Sequence, residues 1–149
     1  MKFQLEAFVR WSREAIERGI VEAYWREVGE DHEAIPLEPD LEKLLQIERA
    51  GILSCFTARR HDGELAGFAM MLSSPHLFYK SHLFAHCYAI YLAPEHRGHG
   101  PDMIALIERE MRGRGATKVF FATKDATSFG RVFGALGYRR SETSWGKLL

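Results

Sequence analysis

The stretch richest in chemistry is Tyr91-Leu92-Ala93-Pro94-Glu95-His96-Arg97-Gly98-His99-Gly100-Pro101-Asp102. An apolar run ends there in a turn with two glycines, and a helical pattern opens directly after it. A strand, turn and helix in that order leave the first backbone N–H groups of the helix unpaired at the positive end of its dipole, an arrangement that takes anions and phosphate above all. Glycine at 98 and 100 lets the backbone approach a ligand, and Arg97 adds a fixed charge on a planar donor fork. The plainer reading of the same residues is a tight connection whose glycines only permit the turn. Upstream, His86 and Tyr88 alternate onto one face of the same extended run. Imidazole titrates at about pH 6.5 when unperturbed and so suits proton transfer at neutral pH, whereas a histidine hydrogen-bonded within a sheet is the structural alternative.

Other chemistries fit less well. His82 shares a strand face with His86, but strand residues four apart are roughly 13 Å distant. His96 and His99 have no cysteine or carboxylate cluster to complete a ligand set, so no metal is expected. Cys55 and Cys87, the two cysteines, stand far apart, as thiols do in a reducing, intracellular protein. Cys87 alternates away from His86 and is expected in the core. His76, Phe78 and Tyr79 either line a cleft or form a hydrophobic plug, and Trp11, Trp25 and Trp145 read as packing residues, with Tyr24-Trp25 bordering a substrate mouth as the alternative.

The elements that must position these residues follow from periodicity. Residues 1–6 suit a short strand, and Phe8, Trp11, Ala15, Ile16, Gly19, Ile20 and Ala23 fall on neighbouring faces of a helix predicted to run to Gly29. Ile35-Pro36-Leu37-Glu38-Pro39 cannot continue a helix, but Asp40 can cap a second one, with Leu41, Leu44 and Leu45 as its buried stripe. Residues 52–60 and 65–72 are apolar and extended on either side of His61-Asp62-Gly63-Glu64, whose Asp-Gly pair tolerates positive φ, and read as an antiparallel hairpin. Residues 73–81, with Pro75, read as a loop, and 82–92 as a long fourth strand. A helix over 101–113 with Ile104, Ile107 and Met111 inward, a strand over 118–123, a helix over 126–136 and a last strand from Tyr138 toward Leu149 complete the chain. The order β-α-α-β-β-β-α-β-α-β describes one α/β domain over residues 1–149, a mixed sheet with helices on both faces. Its parallel step, from 82–92 to 118–123, is a right-handed crossover.

Composition bounds the partners. The 149 residues are 46% hydrophobic and 27% charged, ample for a packed core. Lys plus Arg equals Asp plus Glu at 20 each, so no global field draws the chain to nucleic acid or anionic lipid. Residues 1–96 nevertheless carry net −5 and residues 97–149 net +5, which favours an anionic ligand in the C-terminal third. No leader pattern opens the chain and no apolar run approaches the roughly 18 residues that span a bilayer, so the cytoplasm is the expected location.

The C-terminal half resembles the GNAT family of acyl-CoA-dependent N-acyltransferases. Arg97-Gly98-His99-Gly100 supplies the first four positions of that family's Arg/Gln-x-x-Gly-x-Gly/Ala signature, with Asp102 in the sixth after Pro101, which has no N–H. Leu92 through Gly98 look like the family's strand-end phrase, Met111 through Gly115 like the end of its third helix, and Leu136-Gly137-Tyr138 like its Leu-Gly-Phe/Tyr step. The whole chain looks most like GNAT proteins encoded in tailed-phage genomes. The resemblance implies acetyl-CoA as cofactor, held by Leu92, Arg97, Gly98, His99, Gly100 and Asp102, with Phe133 against pantetheine. It implies His86 as the base, eleven residues before Arg97, where some members carry a carboxylate, and Tyr88 as a residue that orients water or acts as acid. Phe133 stands where members often have the tyrosine that protonates the thiolate, Ala126 stands in place of an Asn, and Lys124 just before it reads as a solvated lysine at a strand end, with a phosphate contact as the alternative. The implied reaction is direct transfer of an acetyl group to a primary amine of a small molecule or protein, in a ternary complex; a homodimer is compatible with all of this. The alternative is a module of the same fold without turnover that engages a host or virion protein, a reading favoured by Pro101, Asp102 and Phe133.

Overall fold

The computed structural model describes residues 1–29, 31–123 and 129–149. The order is β1 (Lys2–Leu5), α1 (Phe8–Glu17), α2 (Ile20–Val28), α3 (Leu41–Arg49), β2 (Leu53–Arg59), β3 (Leu65–His76), β4 (Tyr79–Leu92), α4 (Gly100–Gly113), β5 (Ala116–Phe120) and α5 (Phe129–Ala135). The strands lie side by side in chain order, antiparallel except for the parallel pair β4–β5. This is the mixed α/β sheet expected from the sequence. Phe8, Trp11 and Ala15 of α1 and Ile20 of α2 pack on one face of it, against Leu53, Cys55, Phe68, Met70 and Tyr91. Met103, Leu106, Ile107 and Met111 of α4 pack on the other, against Phe56, Ala58, Ala69, Met71 and Leu92. Because both faces are covered there, β2 is buried along nearly its whole length and β3 from Leu65 to Met71, without a polar side.

Four details differ from expectation. The helix predicted from Phe8 to Gly29 is two helices, because Gly19 takes a left-handed φ of 68° and turns the chain. The segment 73–81 is not a loop: β3 and β4 extend through it to a tight turn at Leu77-Phe78. Pro75 is tolerated there because β2 pairs only as far as Leu72, so this part of β3 is an edge. In α3, which Asp40 caps through Lys43 N–H at 2.8 Å, Leu41 is exposed and Ile47 joins Leu44 and Leu45 against the core. The strand expected from Tyr138 to Leu149 does not form, since Arg139-Arg140-Ser141-Glu142-Thr143-Ser144 offers no apolar side chain to bury.

One polar network ties α1 to the sheet. Arg59 reaches Glu6 through Nε and Nη2, 3.0 Å each, and Glu14 through Nη1 at 2.8 Å. Thr57 and Gln4 also donate to Glu6, and the Leu65 N–H to Glu14. Burial on its own would raise both carboxyl groups, but these donors, Arg59 foremost, outweigh it, so Glu6 is held at about 2 and Glu14 below its ordinary range.

Two stability predictions follow from these contacts. Gly19→Ala meets no atom within 4 Å, so its loss of about 1–2 kcal/mol in a urea titration is backbone cost alone; Gly113→Ala, with equal space in ordinary helical backbone, is neutral or stabilising. Glu6 has a folded pKa of about 2 against an ordinary 4.5, so its contribution is whole above about pH 4.5 and is lost as pH falls toward 2. Urea midpoints measured down that range decline more shallowly in Glu6→Gln than in the parent.

Candidate active site

Strand β4 carries the site. It pairs with β3 along its length but with β5 only from Leu83 to His86, and past Phe120 the chain leaves the sheet. The edge of β4 from Cys87 to Leu92 therefore faces no strand among the described residues. Tyr88 is skipped between the pairs Met70–Ala89 and Met71–Cys87, which makes a β-bulge where β5 departs. Bulges bend and twist their strand, and because the pairing with β5 has stopped at His86, the open edge of β4 beyond it forms a notch next to the end of β5. Gly67 holds the far end of β4 close, since a Cβ there would stand 2.3 Å from the Tyr91 carbonyl oxygen and 2.7 Å from Leu92 Cδ2.

Beyond Leu92 a 3-10 turn at Pro94–His96 delivers the chain to α4. The His96, Arg97 and His99 N–H groups donate to Ala93, Pro94 and His96 carbonyls at 2.8, 3.2 and 3.3 Å. Met103 N–H bonds back to His99 O. The N–H groups of Gly98, Gly100 and Asp102 have no backbone acceptor among the described residues, and Pro101 has no N–H to give. Gly98 has φ 153°, a conformation that favours glycine. Asp102 is two-thirds exposed, and its carboxylate reaches His99 Nδ1 at 3.4 Å rather than the free amides. Leu92 is buried in the α4 core, so it presents main chain to the notch.

The structure thus brings Leu92, Arg97, Gly98, His99, Gly100 and Asp102 together at one turn. His86 and Tyr88 stand further up β4. The His86 ring lies flat on Phe120, with 4.5 Å between centroids and 1° between planes, on the sheet face opposite Ala85 and Cys87. Tyr88 is 66% exposed at the bulge. Phe133 lies on α5, stacked 4.9 Å from Phe121 and edge-on to Tyr138 at 5.2 Å, and only 7% of it is exposed. Lys124 and Ala126 lie outside the described residues. Burial pushes the thiols of Cys55 and Cys87 up to about 12, so neither is a nucleophile at neutral pH.

On α2, Glu27 has no role in the sequence reading and Tyr24 only that of bordering a substrate mouth. The Arg97 guanidinium pairs with Glu27 and also reaches Tyr91. No pattern in the chain links Arg97 to Glu27, 70 residues away. Tyr24 packs on Phe68 and Tyr91, and burial, with Cys87 and Tyr88 nearby, pushes its hydroxyl up to about 12, so it is a protonated donor at neutral pH. No three His, Cys, Asp or Glu side chains cluster for a metal ion among the described residues, and no described helix is long and apolar enough to cross a membrane.

A sequence profile of the acetyltransferase (GNAT) family matches residues 15–135. The chain belongs to that family. Among solved structures it is similar to a ribosomal-protein-alanine N-acetyltransferase from Brucella melitensis biovar Abortus 2308, at 17% identity over 100% of both chains with a TM-score of 0.71. It is also similar to an acetyltransferase of Trypanosoma brucei, at 18% identity over 99% of each chain and TM-score 0.70. A third is an aminoglycoside acetyltransferase from an uncultured soil metagenomic sample, in complex with sisomicin, at 14% identity over 99% of this chain and 95% of that one, TM-score 0.73. At these identities the likeness is one of fold. No curated protein sequence matches the chain. GNAT acetyltransferases generally use acetyl-CoA.

The Glu27 and Asp102 carboxylates stand at the same turn as the free amides and the Arg97 guanidinium, so their effect on an added diphosphate is measurable. With coenzyme A as titrant in calorimetry, Glu27→Gln and Asp102→Asn each tighten binding about threefold, the scale of an exposed ion pair, and Arg97→Ala weakens it by a similar factor. Unchanged affinity in all three variants removes the turn as an anion site.

Proposed function

We propose that the protein transfers an acetyl group from acetyl-CoA to a primary amine, directly and with both substrates bound, in the cytoplasm. The observation that carries this reading is the continuity between the unpaired edge of β4, Cys87 to Leu92, and the free amides of Gly98, Gly100 and Asp102. That donor set fits the cofactor. Three N–H groups and the Arg97 charge suit a pyrophosphate, and an unpaired strand edge suits the amides of a pantetheine arm. Phe133, which has no hydroxyl, adds apolar wall.

Acetyl-CoA, when bound, supplies the activated acetyl group. The chain's residues supply the rest. His86 receives the proton that the attacking amine sheds, directly or through water. Tyr88 at the bulge, or Tyr24 across from it, hands a proton to the departing thiolate. No covalent enzyme intermediate is needed, which agrees with two buried, protonated cysteines. The engagement of Arg97 by Glu27 and the amide lost to Pro101 favour a second reading, a fold that binds a macromolecule without turnover.

Thermal and chemical denaturation separate the two. Acetyl-CoA at 100 times its Kd adds about 2.7 kcal/mol to the unfolding free energy. His86→Ala lowers kcat roughly 100-fold at neutral pH and leaves the acetyl-CoA KM within about twofold. A protein that gains no stability from millimolar acetyl-CoA belongs to the second reading.

A further inference from the structure

On the sheet face turned away from α4, an uncovered strip of rings starts at His86 and crosses three strands. His86 lies flat on Phe120, and Phe120 meets Phe84 at 5.7 Å between centroids. Phe84 meets His76 at 4.7 Å, and His76 meets Tyr79 at 4.7 Å. The register produces this order: Leu72 pairs with His86, Ser74 and Lys118 with Phe84, and Phe120 with His86, while Ala85 and Val119 between them turn to the α4 core. The helices on this face pack on β2, β3 and the far end of β4. His86 and Tyr79 are accordingly exposed, and His76, Phe84 and Phe120 half-buried.

The formal charge on the strands of this strip has one sign. Lys118 Nζ lies 4.5 Å from the centre of the Phe120 ring. None of β3, β4 and β5 contains an Asp or Glu. A polyamine laid on these three strands would find none of their side chains a carboxylate to pair with, and a lysine to repel it. A flat ring would find offset aromatic faces, and an acid group beside it would find Lys118.

We infer that this strip seats the acceptor and that the acceptor is a monoamine bearing an aromatic ring and an acid group, of the aromatic amino acid class. The inference rests on the acyl transfer proposed above, because His86 then joins the strip to the notch. The ring lies along Phe84 and Phe120, the carboxylate meets Lys118, and the amine points to His86 and the bulge. In the reaction the amine nitrogen bonds to the acetyl carbonyl carbon as the carbon–sulfur bond breaks. The proton lost from nitrogen goes to His86, and the sulfur leaves as a thiol after protonation.

Calorimetry without turnover tests it, with phenylalanine, phenethylamine and spermidine as titrants and coenzyme A on the same samples. Phenylalanine is expected to bind tightest and spermidine weakest. Phe84→Leu and Phe120→Leu weaken phenylalanine about tenfold and leave coenzyme A affinity unchanged, while Lys118→Gln removes the advantage of phenylalanine over phenethylamine. Spermidine binding as well as phenylalanine, or aromatic affinity unchanged in both Phe variants, overturns the inference. If coenzyme A binds and phenylalanine does not, the inference falls and the transferase reading stands. If phenylalanine binds in the stated order and coenzyme A does not, the transferase reading falls and the aromatic site stands. A dimer in sedimentation that Phe84→Glu dissociates, with no aromatic ligand bound, assigns the strip to a second copy and overturns the inference as well.

Discussion

The extra residue at Tyr88 is the constraint on which the rest of this sheet depends. Before the bulge, Ala85 and Cys87 face α4; after it, Ile90 and Leu92 do, while Ala89 and Tyr91 turn to α1 and α2. Side chains alternate with period two along a strand, so this change of phase needs one residue without a partner. A regular β4 would have to bury one half of its apolar residues on the wrong face. The pairing of β4 with β5 ends just before this irregularity, after four paired positions, and the open edge beyond it is the notch. The change of packing phase and the open seam between the parallel strands thus meet at one backbone feature.

The second determinant is the placement of α2 over the end of β4, and it is set some distance away. Arg59 fixes Glu6 at the end of β1 and Glu14 on α1, and Glu48 of α3 accepts the Phe8 N–H that opens α1. With α1 held at both ends, the left-handed turn at Gly19 sends α2 across the sheet, and Tyr24 and Glu27 arrive beside Tyr91 and Arg97. A half-buried ion-pair network of this kind adds less to net stability than its number of bonds suggests, because desolvation offsets much of the attraction. Its structural effect is to select one orientation for the helical pair, and so to decide which α2 side chains border the site.

What could be read from the chain was local. The turn at Asp62-Gly63, the cap at Asp40, the stripe of Ile104, Ile107 and Met111, and the anion turn at Arg97-Gly98-His99-Gly100 all sit within a few residues of their own signals. What could not be read was set by partners far off in sequence. Gly19 looked like one more small residue on an apolar face; tertiary packing made it a corner. Pro75 looked like a loop marker because nothing local says that β2 stops short of it. The bulge at Tyr88 leaves composition and alternation on each side intact, so its only trace is a slip of phase that a single sequence does not reveal. Glu27 carries no signal as the partner of Arg97 at all. The aromatic strip was half visible, as His76, Phe78 and Tyr79, but its continuation through Phe84 and Phe120 needed the strand register.

The turn itself holds a guanidinium and an imidazole that already have carboxylate partners. Arg97 has Glu27 and His99 has Asp102, so a diphosphate entering there exchanges one anion for another at each side chain instead of filling a bare positive site. Both pairs are largely exposed, and exposed pairs contribute about 0–1 kcal/mol. Hydrogen bonds from backbone N–H to a charged oxygen contribute about 1.5–3 kcal/mol each, and the Gly98, Gly100 and Asp102 amides have no competing backbone acceptor. The amides therefore dominate the balance, and the side-chain pairs set a threshold that a singly charged ligand, able to take one or two amides, crosses less readily than a diphosphate that spans them.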